Sequence, residues 1–320
     1  MSFIISKASY SHLLSENASL NTYNLAFISD WSKVSEDVVY YAVKESNTHD
    51  LKGAFMVFSS QRMGIGHLSN VPFFQDIGLW IKEEHDSVYK TNSQIKNVIK
   101  AVSEFLVGHK WVNISIPYTI TDMQEFIWND LSVSPRYTYL LDITQSIEEL
   151  KKNFGRGLKQ SVKKLEKENF AYSGQLDKEA ISLIEKSSLN GRSESEKVIF
   201  NRLISIIANM PEAKIVKVSD GKAISVAVFI TCGTKAVYLF GGSKNASGST
   251  VGSAVLFKGI TELKNEGVEV LDFEGSMIPS VEKFFRRFGS RLVPLFNVQK
   301  LPRVLKAKEL VSKLKKKPST

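Results

Sequence analysis

In the second half of the chain, Ile147, Leu150, Phe154, Leu158, Val162 and Leu165 recur at spacings of three and four, which predicts one helix from Ile147 to Glu168. A strand, Tyr137–Asp142, precedes it, and helical patterns at Lys178–Lys186 and Ser195–Asn209 follow. Three β-type runs come next, Lys214–Ser219, Ile224–Thr231 and Ala236–Phe240, separated by the turn pairs Asp220-Gly221 and Gly233-Thr234. A glycine-rich stretch from Gly241 to Gly248 reads as a loop into a helix, Val251–Asn265. The half closes with a strand Val268–Phe273, a short helix Pro279–Arg287 and a strand Arg291–Val298.

The first half repeats that closing pattern, with a helix Gln94–Val107, a strand Val112–Ile116, a helix Asp122–Leu131 and a strand Arg136–Leu141. The two series align at an offset of roughly 155 residues, about the size of one domain. Strand, helices, a three-strand meander, helix, strand, helix, strand is the element order of the GNAT fold. The expected architecture is α/β: two tandem GNAT-like domains with mixed sheets and a cleft between them. Residues 1–136 and 137–299 form the domains, and 300–320 a basic tail. A cleft between such halves is where a binding site is expected.

Composition narrows the function. The chain is 43% hydrophobic and 23% charged, a globular balance. Its longest apolar stretch, Ala223–Cys232, falls short of the roughly 20 residues that span a bilayer. The N-terminus lacks the basic start and apolar run of a signal peptide, and a single cysteine, Cys232, suits a reducing compartment and reads as a buried thiol. These features imply a cytoplasmic protein. The net charge is +9, of which residues 300–317 carry +7, so the body is nearly balanced and is not expected to be a general nucleic-acid binder. Leu301, Val304, Leu305, Val311 and Leu314 form an apolar stripe among the tail's lysines. Such a helix either lies on an anionic membrane surface, making the protein peripheral to the inner face, or docks on the body. The five histidines are scattered, and no HExxH, CxxC pair, GxSxG, Walker loop or GxGxxG is present. No metal site and no tightly bound cofactor are therefore expected, and chemistry by positioning and electrostatics fits better.

Asp272 and Glu274 stand out, because two carboxylates alternating with Leu271 and Phe273 on a core strand are costly unless paired or open to a cleft. Both readings are open: an ion pair with Arg286 or Arg287, or a place in a site. The run Leu271-Asp272-Phe273-Glu274-Gly275-Ser276, followed by Phe284-Phe285-Arg286-Arg287-Phe288-Gly289, resembles the closing signature of Fem-type aminoacyltransferases and related GNAT-fold acyltransferases. Tyr238-Leu239-Phe240-Gly241-Gly242-Ser243 resembles the strand and loop before it. Leu158–Lys167 resembles the family's basic helix, and Pro72-Phe73-Phe74-Gln75-Asp76-Ile77-Gly78 a segment of its first half. Phe285 stands where family members commonly carry lysine, and the long helical arm of some members has no counterpart here.

The resemblance implies amine attack on an activated acyl group, with an aminoacyl-tRNA or acyl-CoA as co-substrate. The acceptor would be a small-molecule or lipid-linked envelope precursor, such as a peptidoglycan-like one. An acyl-CoA-dependent transfer to a polysaccharide or nucleotide-sugar precursor is the alternative, and an inactive GNAT-like scaffold the reading from another class. Asp272, Glu274, Lys283 and Arg286 are the implied catalytic set. Tyr238, Gly241, Gly242, Ser243, Ser276, Phe284, Phe74 and Asp76 are the implied substrate contacts. Gly248 and Gly252 flank the start of a helix whose N-terminus either holds a phosphate or is an ordinary Ser/Thr cap. Lys159, Lys163 and Lys164 either bind phosphate, including that of a tRNA acceptor end, or form a solvated face.

Overall fold

The computed structural model describes residues 2–20, 24–84, 87–165, 167, 170–245, 250–275 and 277–306. Gly248, Ser276 and the tail beyond residue 306 lie outside the described residues. The first half contains β1 (Phe3–Ala8), α1 (Tyr10–Glu16), β2 (Val38–Glu45), β3 (Leu51–Arg62), β4 (Ile65–Ser69) and β5 (Trp80–Ile81). It continues with α2 (Val88–Val107), β6 (Trp111–Ile116) and α3 (Gln124–Trp128). β7 (Ser132–Asp142) leads into the second half, with α4 (Ile147–Asn153), α5 (Arg156–Leu165), β8 (Ala171–Ser173), α6 (Lys178–Ser188) and α7 (Glu194–Ile207). β9 (Ala213–Ser219), β10 (Ile224–Cys232) and β11 (Lys235–Lys244) form the meander, followed by α8 (Val251–Asn265), β12 (Val270–Asp272), α9 (Pro279–Arg286) and β13 (Arg291–Lys300).

One mixed sheet runs through both halves in the order β1-β2-β3-β4-β6-β13-β7-β12-β11-β10-β9-β8, with β5 beside β3. The centre of this order shows an exchange. β4 and β6 pair in parallel in the first half, and β11 and β12 in the second. The strand that follows each helix pairs in the other half, β13 with β6 and β7 with β12. β7 and β13 then pair with each other over Ser132–Leu140. The expected boundary at 136/137 falls inside β7, and the sheet does not break there.

Burial explains why the halves form one unit. One apolar cluster draws Phe27, Trp31, Met56 and Phe74 from the first half together with Ile184, Phe200, Leu203 and Val228 from the second. The Phe73 ring bridges them, 5.7 Å from Phe200 and 5.6 Å from Phe240. Each large side chain so buried contributes roughly 1.5–3 kcal/mol. Two further clusters lie on the outer sides, under α2 and α3 in the first half and under α4, α5, α8 and α9 in the second.

Two local expectations change. The helix predicted over 147–168 is two helices, because Phe154 is extended (φ −66, ψ 142) and the Gly155 N–H donates to the Arg287 carbonyl at 2.8 Å. Both flanking segments still bury their stripe, Leu150, Phe154, Leu158 and Val162, in one cluster. Secondly, Gly241 and Gly242 continue β11 and do not open a loop. A Cβ on Gly242 would lie 2.3 Å from the Leu183 carbonyl oxygen, so glycine there admits the backbone of α6 against the strand.

Candidate active site between the halves

The site forms where the two parallel strands separate. β11 and β12 share three register pairs, ending at Val237 with Asp272, while β11 continues to Lys244. Just beyond, the ladder to β10 slips at Val228/Phe229, leaving Leu239 as an extra residue in β11. At the end of β12 the chain turns off through two left-handed residues, Glu274 (φ 54) and Gly275 (φ 68). A Cβ on Gly275 would lie 2.4 Å from the Tyr137 carbonyl oxygen, which makes glycine the residue that fits this turn. Glu274 adopts the same region without that freedom, a cost of order 1–3 kcal/mol met at functional sites.

The turn gathers three carboxyls. Asp272, 7% exposed, accepts a short hydrogen bond from the Thr138 hydroxyl of β7 and one from the Glu274 N–H at 2.8 Å. Asp76 comes from the other half, on the segment between β4 and β5, and accepts from the Gly78 N–H at 2.7 Å. That segment is fixed by the Asn70 side chain, which donates to Gln75 O at 2.7 Å and accepts from the Ser115 N–H at 2.8 Å. Asp76, Asp272 and Glu274 line one cavity of about 140 Å³, together with Gln75, Tyr118, Lys235 and the apolar Met56 and Leu79.

Burial dominates the electrostatics. It holds Asp272 up at about 6, against the opposing pull of Thr138, the Glu274 N–H, Gln75 and Lys235. Asp76 is pushed up to about 7 by burial, with the Asp272 charge adding to it. Glu274 is raised well above the usual carboxyl range, by burial first and then by Asp272 and Asp76. Tyr118 is pushed up to about 12 by burial and by the charges of Asp272 and Asp76. The three acids therefore titrate as one coupled group that keeps protons near neutral pH and can exchange them there.

The small cavity is a neck between larger ones. Phe74, Gln75 and Glu274 also line a cleft of about 690 Å³ between the halves, where Arg62, Arg136 and Arg192 sit among Asn70, Asn113 and Asn297. Arg192 is held at 2.6 Å from Glu196 and lies 5.1 Å over the Phe73 ring. On the other side, Tyr118, Lys235 and Val270 are shared with a cavity of about 470 Å³ that includes Asn153, Gly289 and Arg291.

The sequence-derived residues divide into two sets. Phe74, Asp76, Asp272 and Glu274 meet at the neck. Tyr238 turns to the opposite face of the sheet, against Phe229, Phe273 and Phe285 at 5.6, 6.5 and 5.9 Å, with its hydroxyl folded over Gly241. Ser243 pairs with Ser225 at 2.8 Å. Lys283 and Arg286 are exposed on α9, with Arg286 bonded to Glu282 at 2.9 Å, because α9 buries Phe285 against Phe273 at 4.7 Å and turns these two positions outward. Neither arginine of the pair considered for Asp272 and Glu274 reaches them: Arg287 lies 4.9 Å over Phe284 instead. Gly252 faces open space in the first turn of α8. Lys159, Lys163 and Lys164 are exposed on α5. Cys232 is buried, and burial pushes its thiol up to about 12, away from a thiolate role. Sequence reading did not find Tyr118, Thr138, Lys235 or the three arginines, since each lies in a locally ordinary stretch.

No protein-family profile and no curated protein matches the sequence. Solved structures do match the fold. FemX superposes with a TM-score of 0.61 at 11% identity, covering 92% of this chain and 96% of its own. The fold is Fem-type and GNAT-like. A tandem GNAT protein from the clavulanic acid biosynthesis pathway matches with a TM-score of 0.52 at 9% identity, over 92% of this chain and 98% of its own. The C-terminal domain of a putative lysylphosphatidylglycerol synthetase from Agrobacterium fabrum matches with a TM-score of 0.52 at 10% identity, over 91% and 93%. Among the described residues no helix is long and apolar enough to cross a membrane, and no group of His, Cys, Asp and Glu is arranged to hold a metal ion.

Proposed function

We propose that this chain transfers an acyl or aminoacyl group to the amine of an anionic acceptor, a cell-envelope precursor, in the neck between its halves. The observation that carries the reading is the cluster of Asp76, Asp272 and Glu274 at the point where the arginine-lined cleft meets the cavity behind β12. The acceptor lies in the cleft, its phosphate or carboxylate toward Arg62, Arg136 and Arg192 and its amine toward Glu274. The donor, an aminoacyl-tRNA ester or an acyl-CoA thioester, presents its carbonyl from the opposite side. The amine nitrogen bonds to the carbonyl carbon, and its proton passes to a carboxylate of the cluster. Among the described residues, β11 has no strand partner on the β12 side past Val237, which offers backbone N–H groups to the oxyanion. The C–O or C–S bond then breaks, and the leaving oxygen or sulfur takes a proton from the cluster. The resemblance to Fem-type aminoacyltransferases, together with a putative lysylphosphatidylglycerol synthetase as a structural neighbour, supports a transferase that works on envelope molecules.

The test supplies the pure protein with a phosphorylated amino-sugar or muropeptide acceptor and, separately, acetyl-CoA or a charged tRNA pool, and follows the product mass. Transfer with one donor is expected, falling about 100-fold or more in Asp272→Asn. Saturable binding of either donor with no transfer to any acceptor would favour the inactive scaffold.

A further inference from the structure

The body's balanced charge conceals a strongly basic face. Residues 147–165, which form α4 and α5, carry a net +4, and residues 279–291, which form α9 and the start of β13, a net +3. Apart from these stretches and the tail, the chain is net acidic. The two stretches lie edge to edge, since the Gly155 N–H donates to Arg287 O at 2.8 Å and Gly289 packs on Asn153. Arg156, Lys159, Lys163, Lys283, Arg286 and Arg291 are exposed there. Lys159 and Lys163 also line a groove of about 360 Å³ with Glu148, Lys151, Lys152 and Val162, in which Lys151 and Lys152 pair with Glu148 and Glu149 while Lys159 and Lys163 stay exposed.

Exposed aliphatic side chains accompany the cations. Met277 and Ile278, leading into α9, are 57% and 61% exposed, and Leu292 is 48% exposed. Leu292 opposes Tyr139 across the β7–β13 ladder, and the Tyr139 hydroxyl donates to Glu282 of α9 at 2.6 Å. Leu292 therefore lies on the side of the sheet that α9 covers.

We propose that this face lies on an anionic lipid bilayer, with Met277 and Ile278 among the headgroups and the lysine groove against lipid phosphates. A phosphate-rich surface explains the cations, and an interface with an apolar interior explains the exposed aliphatic chains beside them. A nucleic-acid backbone would use only the first of these features. Met277 also lines the arginine cleft, so the docked orientation brings the acceptor entrance to the membrane surface. The inference goes beyond the transfer reading and is tested without turnover.

Full-length protein is sedimented with phosphatidylglycerol-containing vesicles at low salt, beside full-length Lys159→Glu/Lys163→Glu, so that the tail is the same in both. The expected result is partition of the unmodified chain and a loss of about 10-fold or more in the variant. A fluorophore on Ile278→Cys, selective because Cys232 is buried, should be quenched by lipids brominated near the headgroup. Equal sedimentation of both proteins, or an unquenched label, overturns the proposal. So does a short RNA that binds through the same lysines while vesicles do not.

Discussion

Glu274 and Asp76 show how one residue can set the chemistry of a site. Glu274 accepts a left-handed backbone that glycine would hold more cheaply, and it stands at both the neck and the arginine cleft. Asp76 brings a carboxyl from the other half of the chain into the same small volume, where burial raises it to about 7. A carboxyl raised in the folded state binds more protons there than in the unfolded chain between the two pKa values. Its contribution to stability is therefore full below about pH 4 and is lost as pH rises toward 7. Asp76→Asn removes that loss, so its melting temperature should exceed that of the unmodified chain at pH 8 and converge with it near pH 4. The stability difference at pH 8 is roughly 4 kcal/mol at most, and equal melting temperatures at pH 8 would show that the surroundings do not raise the Asp76 carboxyl.

At the scale of elements, β11 and its glycines carry the clearest prediction. Gly242→Ala places a methyl group 2.3 Å from Leu183 O and 2.8 Å from Ile184 N, both backbone atoms of α6. α6 has to shift, and urea unfolding should show a loss of roughly 1–3 kcal/mol. Unchanged stability with weakened donor binding would instead return these glycines to a ligand loop. Much of the element order was legible because each helix and strand carries its own apolar period. Asp272 and Glu274 stood out as carboxyls in an apolar run that reads as a core strand, although β12 ends at Asp272 and Glu274 lies in the left-handed turn beyond it. Thr138 and Lys235 were not, because their importance comes from strand register. Thr138 reaches Asp272 only because β7 pairs with β12 and not with a strand of its own half. The exchange of β7 and β13 leaves no local trace, since a strand's alternation is the same whichever partner it meets. The break at Phe154-Gly155 was hidden for the opposite reason: the apolar stripe continues across it on two separate helices.

For the whole molecule, the exchanged strands and the shared core make the site a property of both halves together. Asp76 arrives from the first half, Asp272 and Glu274 from the second, and the arginine cleft draws on both. Coupling among the three acids gives the account its most direct test, the pH dependence of kcat/KM for transfer in the unmodified chain and in Asp76→Asn. A cluster that must be deprotonated to accept the amine's proton predicts activity falling on the acid side, with an apparent pKa between about 6 and 7. Removing the Asp76 charge makes the remaining carboxyls easier to ionise, so this acid limb should move to lower pH in the variant. An acid limb at the same pH in both proteins, or activity that does not fall through this range, would contradict a reaction centre built on the buried acids.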